Sequence, residues 1–254
     1  MVQPLRDGPV SPSCRRPSVR DAMGERLGGF SLTFTLPQRG VPASLHVGLD
    51  VTFAGTIMKP FRILTVCSAN RCRSPMAEAL LAKAILEVQP HDFTVTSAGF
   101  GPPGAPAEPE VVEVMADIGF DVTRHRSTTV NTSLLAEADL VLAMTRQHVM
   151  ELALLDEAAW PKTFLIGEFA SLATASDGPG RSASNELTDP ASDPGDELRQ
   201  RVARLHLGRR RADLLSLPSA LEVSDPIGGP LRGYRATRDR IASLSEVIAR
   251  YLAP

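Results

Sequence analysis

Ile63-Leu64-Thr65-Val66-Cys67-Ser68-Ala69-Asn70-Arg71-Cys72-Arg73-Ser74-Pro75 joins a strand-like apolar run to a stretch that opens with a helix-starting proline. Proline's fixed φ and missing N–H suit the first turn of a helix. A turn placed between strand and helix aims successive backbone N–H groups into one concavity, with the helix N-terminus behind it. Such a nest holds an anion such as phosphate. It also stabilises a thiolate, which makes Cys67 a competent nucleophile. Ser68, Ala69, Asn70, Arg71 and Cys72 would supply the wall of the concavity. Arg73, six residues after the cysteine, can return to its mouth, where a planar fork matches two phosphoryl oxygens as lysine could not. Ser74 can donate its hydroxyl to the sulfur when a covalent intermediate breaks down, and the Asn70 amide can hold the loop in shape. The plain alternative is a buried cysteine that merely ends a strand.

From Phe61 onward, short apolar runs alternate with amphipathic ones. The strands are expected at Ile63–Val66, Phe93–Ser97, Leu140–Met144 and Thr163–Ile166. The helices are expected at Met76–Val88, at Glu110–Ile118 before the C-terminal glycine Gly119, and at Thr145–Asp156. Strand and helix in alternation predict an α/β fold: a small, doubly wound, parallel four-stranded sheet with helices on both faces and the phosphate-binding loop after the first strand. Residues 173–197, with Asp189-Pro190 and Asp193-Pro194, read as a loop insertion. Leu198–Leu215 reads as an added helix bearing Arg209, Arg210 and Arg211 on a solvated face, so insertion and helix together occupy 173–219. Tyr234–Leu252 supplies a last helix with Ile241, Leu244, Val247, Ile248 and Leu252 at helical spacing.

Composition changes near residue 58. Residues 1–57 hold Pro4, Pro9, Pro12, Pro17, Pro37 and Pro42 and only short apolar runs, and read as a poorly ordered extension. Their best apolar run, Phe30–Leu36, is no secretory h-region. Met58 directly precedes the first strand and is the expected natural start of a domain spanning 58–254. An intact mass from the native cell tests this; a 254-residue species would refute it. The whole chain of 254 residues has 27 Lys+Arg against 29 Asp+Glu, a net charge of -2, so there is no bulk field to attract nucleic acid or an anionic membrane. Lys59, Lys83 and Lys162 are the only lysines, an Arg bias that a GC-rich coding sequence explains. No apolar stretch is long enough for a membrane span. Three cysteines, Cys14, Cys67 and Cys72, are too few for a disulfide scaffold and point to reduced thiols in a cytoplasmic protein.

Cys67-x5-Arg73-Ser74-Pro75, continued by Met76-Ala77-Glu78-Ala79, resembles the phosphate loop of the low-molecular-weight protein tyrosine phosphatases. The resemblance runs from about Lys59 to the C-terminus. It takes in Ser97-Ala98-Gly99, His125-Arg126-Ser127, the run Ala138–Met144, and Ser224-Asp225-Pro226 followed by Gly228-Gly229. It implies that Cys67 attacks phosphorus to form a phosphocysteine and that Arg73 with the loop amides neutralises the transferring group. It implies further that Asp225 protonates the leaving oxygen and later activates water. No metal or other cofactor is implied. Ser97 and His125 would join Asn70 and Ser74 in supporting the loop, though His125 reads equally as an exposed helix-end histidine. Cys72 would trap oxidised Cys67 as a disulfide, or else is a small packed side chain. The implied partner is a phosphorylated protein, and bacterial relatives often oppose a tyrosine kinase; oligomeric state is open.

Three positions depart from the tyrosine phosphatases. Ile227 follows the Asp-Pro where an aromatic wall is expected, Phe100 alone can supply the second wall or else is core, and Thr145 stands where an acidic residue is usual. Protein arginine phosphatases share Pro226 and Gly228-Gly229, but Arg71 matches neither group. A cation facing the pocket would repel phosphoarginine, which puts phosphotyrosine first; the other reading turns Arg71 into solvent. Arsenate reductase on the same fold would need cysteines beyond Cys72 to pass a disulfide outward, and a silent phosphate-binding module would have no use for Asp225.

Overall fold

In the computed structural model, which describes residues 59–88, 93–176 and 194–253, the sheet is built around β1 (Phe61–Cys67). β1 pairs in parallel with β2 (Phe93–Gly99) along its whole length and, on its other edge, with β3 (Leu140–Ala143). β4 (Thr163–Leu165) pairs in parallel with β3, giving the order β2-β1-β3-β4. Parallel neighbours require crossovers, and these carry the helices α1 (Arg73–Val88), α2 (Pro109–Ala116), α3 (Thr132–Glu137) and α4 (Arg146–Leu155), while α5 (Ile166–Ser176), α6 (Pro194–His206) and α7 (Leu231–Leu252) follow β4.

Side chains alternate across the strands, so the sheet has two cores. Phe61, Ile63, Leu140, Leu142 and Phe164 pack with α1, α2, α5, α6 and α7. Leu64, Val66, Val141, Ala143 and Leu165 pack with α3, α4 and two 3-10 turns, Glu157–Lys162 and Arg211–Ser216. The predicted doubly wound parallel sheet is the observed architecture. The expected strand ends Met144 and Ile166 fall one residue beyond β3 and β4.

Three expectations need correction. Leu198–Leu215 is not one helix: α6 ends at His206, and Gly208 takes a left-handed φ of +84°. The break is required by packing, because Leu205 belongs to one core and Leu214 to the other. Nor are the three arginines that follow all solvated. Arg209 gives Nε and Nη2 to Glu168 at 2.8 and 2.9 Å, the side chains of both ions being 9% exposed, and lies 3.9 Å from the Phe164 ring centroid. Arg210 and Arg211 do lie outside, paired with Asp213 and Glu157. Finally, the loop expected over 173–197 is helical at both ends, in α5 and α6. Its centre, 177–193, and the N-terminal extension lie outside the described residues. Among the described residues no helix is long and apolar enough to cross a membrane.

Candidate active site

The loop from Cys67 to α1 is held from outside by its carbonyls. Ser68 O accepts from Phe100 N at 2.7 Å and Gly101 N at 3.0 Å, Arg71 O accepts from Glu108 N at 2.9 Å, and Asn70 O takes a hydrogen bond from His125 Nε2 at 2.6 Å. In a trans peptide each C=O and the next N–H point opposite ways, so drawing these carbonyls outward turns the amides of Ala69, Arg71 and Cys72 inward. Asn70 makes this curvature by adopting φ +52°, the left-handed region that Asn tolerates better than most residues. Gly99 is required beside it: a Cβ there would sit 2.5 Å from Asn70 N and 2.8 Å from Cys67 O. Ser97-Ala98-Gly99 is thus a seat for the loop at the end of β2.

Inside the loop a polar chain leads to the sulfur. Ser97 Oγ donates to Glu78 at 2.5 Å, and Asn70 Nδ2 donates to Ser97 Oγ at 2.8 Å and to Ser74 Oγ at 2.9 Å. Ser74 Oγ lies 3.0 Å from Cys67 Sγ. With one lone pair accepting from Asn70, the Ser74 hydroxyl has its proton for either the sulfur or Ala98 O at 3.3 Å; a thiolate claims it. Asn70 Oδ1 accepts from Thr128 N at 2.7 Å, so the buried amide is satisfied at both ends. The structure therefore brings Ser97, Asn70, Ser74 and His125 together. His125 lies in a turn and not at a helix end, and because a carbonyl can only accept, its Nε2 carries a proton. Burial pushes the Glu78 carboxyl up, against the Ser97 hydrogen bond and the His125 charge. Glu78 was legible only as part of the motif; its position one helical turn after Ser74 was the available signal.

Arg73, on the first turn of α1, is 4% exposed at its side chain. It gives Nη1 to Val223 O at 3.2 Å and Nη2 to Ser68 Oγ at 3.2 Å and to Asp225 Oδ2 at 2.6 Å. Asp225 comes from 152 positions away and is 39% exposed. Its other oxygen accepts from Ile227 N, forming the tight turn of the Asp-Pro segment. That segment is anchored by Val223 N to Met144 O at 2.9 Å and by Glu222, which accepts from the backbone and guanidinium of Arg146.

Arg71 is turned away from the pocket, its side chain 36% exposed on the flank of the loop. Its Nε donates to Pro106 O and its Nη1 pairs with Glu108, both at 3.1 Å, which carries its charge to the flank of the loop. Phe100 is half-buried and stacks on His148, 5.9 Å between centroids and 20° between planes. Cys72 is buried and reduced, and burial, followed by the charges of Asp225 and Cys67, pushes its thiol up. Among the described residues no three His, Cys, Asp or Glu side chains gather to hold a metal ion.

This arrangement has counterparts. The family model for low molecular weight phosphotyrosine protein phosphatase matches residues 62–212. A probable low molecular weight protein-tyrosine-phosphatase, EpsP of Ralstonia nicotianae, is 42% identical over 107 residues, which is 42% of this chain and 70% of that protein. The protein-arginine-phosphatase of Bacillus subtilis is 31% identical over 191 residues, 75% of this chain and 95% of that protein. The solved structure of the YwlE arginine phosphatase from Geobacillus stearothermophilus superposes with a TM-score of 0.52 at 29% identity, covering 75% of this chain and 92% of that one. The match over β1, the phosphate loop and the sheet that follows places this chain in the low molecular weight phosphotyrosine protein phosphatase family, as an enzyme of that type.

Proposed function

We propose that the protein is a metal-independent, cysteine-dependent phosphatase that hydrolyses a protein phosphomonoester, with phosphotyrosine as its first substrate. The observation that carries this reading is the meeting of Arg73 and Asp225 at 2.6 Å beside a loop that folds its amides around Cys67. The phosphoryl group binds those amides and the Arg73 fork, drawing Nη2 away from Asp225. The Cys67 thiolate attacks phosphorus; an S–P bond forms as the ester P–O bond breaks, and the protonated Asp225 carboxyl gives its proton to the leaving oxygen. In the second half Asp225 takes a proton from water, the water oxygen bonds to phosphorus, and the S–P bond electrons return to sulfur. Ser74 Oγ, 3.0 Å away, donates to the thiolate so released.

Phe100, stacked on His148, and Ile227, half exposed in the Asp-Pro turn, offer apolar walls of the kind a phenyl ring uses. A second reading, phosphoarginine, is favoured by one observation: the charge of Arg71 is turned onto Glu108, so it does not repel a guanidinium. The 31% identity to a protein-arginine-phosphatase over most of the chain supports the same reading. We place the enzyme in the cytoplasm, where Cys67 and Cys72 stay reduced, acting on a phosphoprotein, with a bacterial tyrosine kinase as one candidate.

The test is turnover of p-nitrophenyl phosphate without added metal and its inhibition by vanadate, followed by phosphotyrosine peptide, phosphoarginine peptide and arsenate side by side. Hydrolysis of phosphotyrosine ahead of the other two is expected. Preference for phosphoarginine moves the substrate assignment, and thiol-dependent arsenate turnover above all phosphatase activity refutes it.

A further inference from the structure

His148 has no part in the chemistry above, yet both its ring nitrogens and one ring face are engaged at the site. It lies in the first turn of α4, buried to 4% exposure. Nδ1 is 3.0 Å from Thr145 Oγ1, and the same oxygen caps the helix by accepting from His148 N. Nε2 is 2.9 Å from Ser68 Oγ, the atom that also accepts from Arg73 Nη2 at 3.2 Å. The ring face carries Phe100. A neutral imidazole has one donor and one acceptor nitrogen, and hydroxyls at both ends satisfy either tautomer. Burial, with the Arg73 charge second, holds the ring down to about 4, so it is neutral at pH 7. The departure at position 145 now has a reason: an acidic residue there would favour the charged ring beside Arg73, whereas Thr145 does not.

We propose that His148 is a positioning residue of this site: through Ser68 Oγ it fixes the plane of the Arg73 fork, and through its ring it fixes the wall formed by Phe100. The role in turnover rests on the phosphatase reading; the contacts themselves do not. Ser68 is exposed, and its hydroxyl would rotate freely without a partner. Locked by His148, it presents a lone pair to Nη2 on one side and leaves the rest of the guanidinium to the phosphoryl oxygens.

The experiment is a double-mutant cycle on p-nitrophenyl phosphate with H148F, S68A and the double variant, H148F keeping a ring for Phe100 to stack on. One hydrogen bond of ordinary net strength predicts a loss in kcat/KM of about fivefold for each single variant and about fivefold again, not about twenty-five-fold, for the pair. H148Q, which can still reach Ser68, recovers most of the loss. Independent losses that multiply, or an H148F enzyme equal to wild type, overturn the proposal. A second measurement needs no change at 148 and no turnover: ring nitrogen-15 shifts of His148 in wild type and S68A, with and without inorganic phosphate. S68A should move the Nε2 resonance and abolish its response to phosphate; a ring signal that ignores both changes overturns the proposal. A wild type that binds phosphate with this response but turns over no aryl phosphate would refute the proposed function and leave the positioning contact standing.

Discussion

At the carboxyl end of the strands Arg73 gives a nitrogen to Asp225 at 2.6 Å; at the amino end Arg62 gives one to Glu137 at 2.7 Å. The distances are alike and the environments are not. Arg73 is 4% exposed and satisfied by a backbone carbonyl and a serine as well, whereas Arg62 and Glu137 are 46% and 56% exposed. Arg199 at the amino end shares itself between the partly buried Asp139 and the exposed Asp196. Exposed pairs gain little over water and are screened by salt, while a buried guanidinium must keep every partner. Short ion pairs therefore do not mark the site. What marks the candidate site is the convergence of loop amides, a cysteine and one carboxyl on a buried arginine.

That contrast can be broken by experiment, starting at the carboxyl end. Cys67→Ser should remove turnover by about a thousandfold or more with little change in melting temperature, since the side chains are nearly isosteric. Asp225→Ala should slow hydrolysis of poor leaving groups by about a hundredfold and of p-nitrophenyl phosphate much less, because protonation matters only for the former. Asn70→Ala should damage both function and fold: it deletes an amide bonded to Ser74, Ser97 and Thr128, a loss of about 2–3 kcal/mol in denaturant unfolding along with loss of phosphate binding.

An effect of similar size on stability follows from pH. His148 is lowered from 6.5 to about 4 in the fold, so between those values the unfolded chain binds a proton that the folded chain does not. Its contribution to stability is full above about pH 6.5 and is lost as pH falls to about 4, on the order of 2–3 kcal/mol, and H148F should flatten that limb of the stability curve. Smallest of all, Arg62→Ala at the amino end should change stability by less than about 0.5 kcal/mol and leave kcat unaltered. A large loss of activity there would end the distinction between the two ends.

The sheet and its loop were legible because local rules coincide along β1 and into α1: an apolar run, a turn and then a proline, which sits in the first turn of the helix, two residues inside its start at Arg73. The Asp-Pro segment was legible by resemblance, although only the fold shows that Arg73 reaches it. Less was readable where packing, not propensity, decides. α3 is one short turn whose Asn131 cap, accepting from Leu134 N, was the missed signal. α5 hid in a stretch that reads as strand and then loop, and the break at Gly208 follows from a change of core that no periodicity announces. Arg209 looked like its exposed neighbours because sequence does not reveal Phe164 and Glu168 waiting for it. His148 escaped notice for the same reason: its partners Ser68 and Phe100 are distant in sequence.

The most direct test of the account is to find where the phosphoryl group goes. Asp225→Asn, which removes the proposed base for the second step, is mixed with p-nitrophenyl phosphate, quenched in acid and digested for mass spectrometry. One phosphoryl group is expected on the peptide bearing Cys67, absent when Cys67→Ala is added. A phosphoryl group on another residue, or hydrolysis by the wild type with Cys67 shown never to be modified, would contradict it.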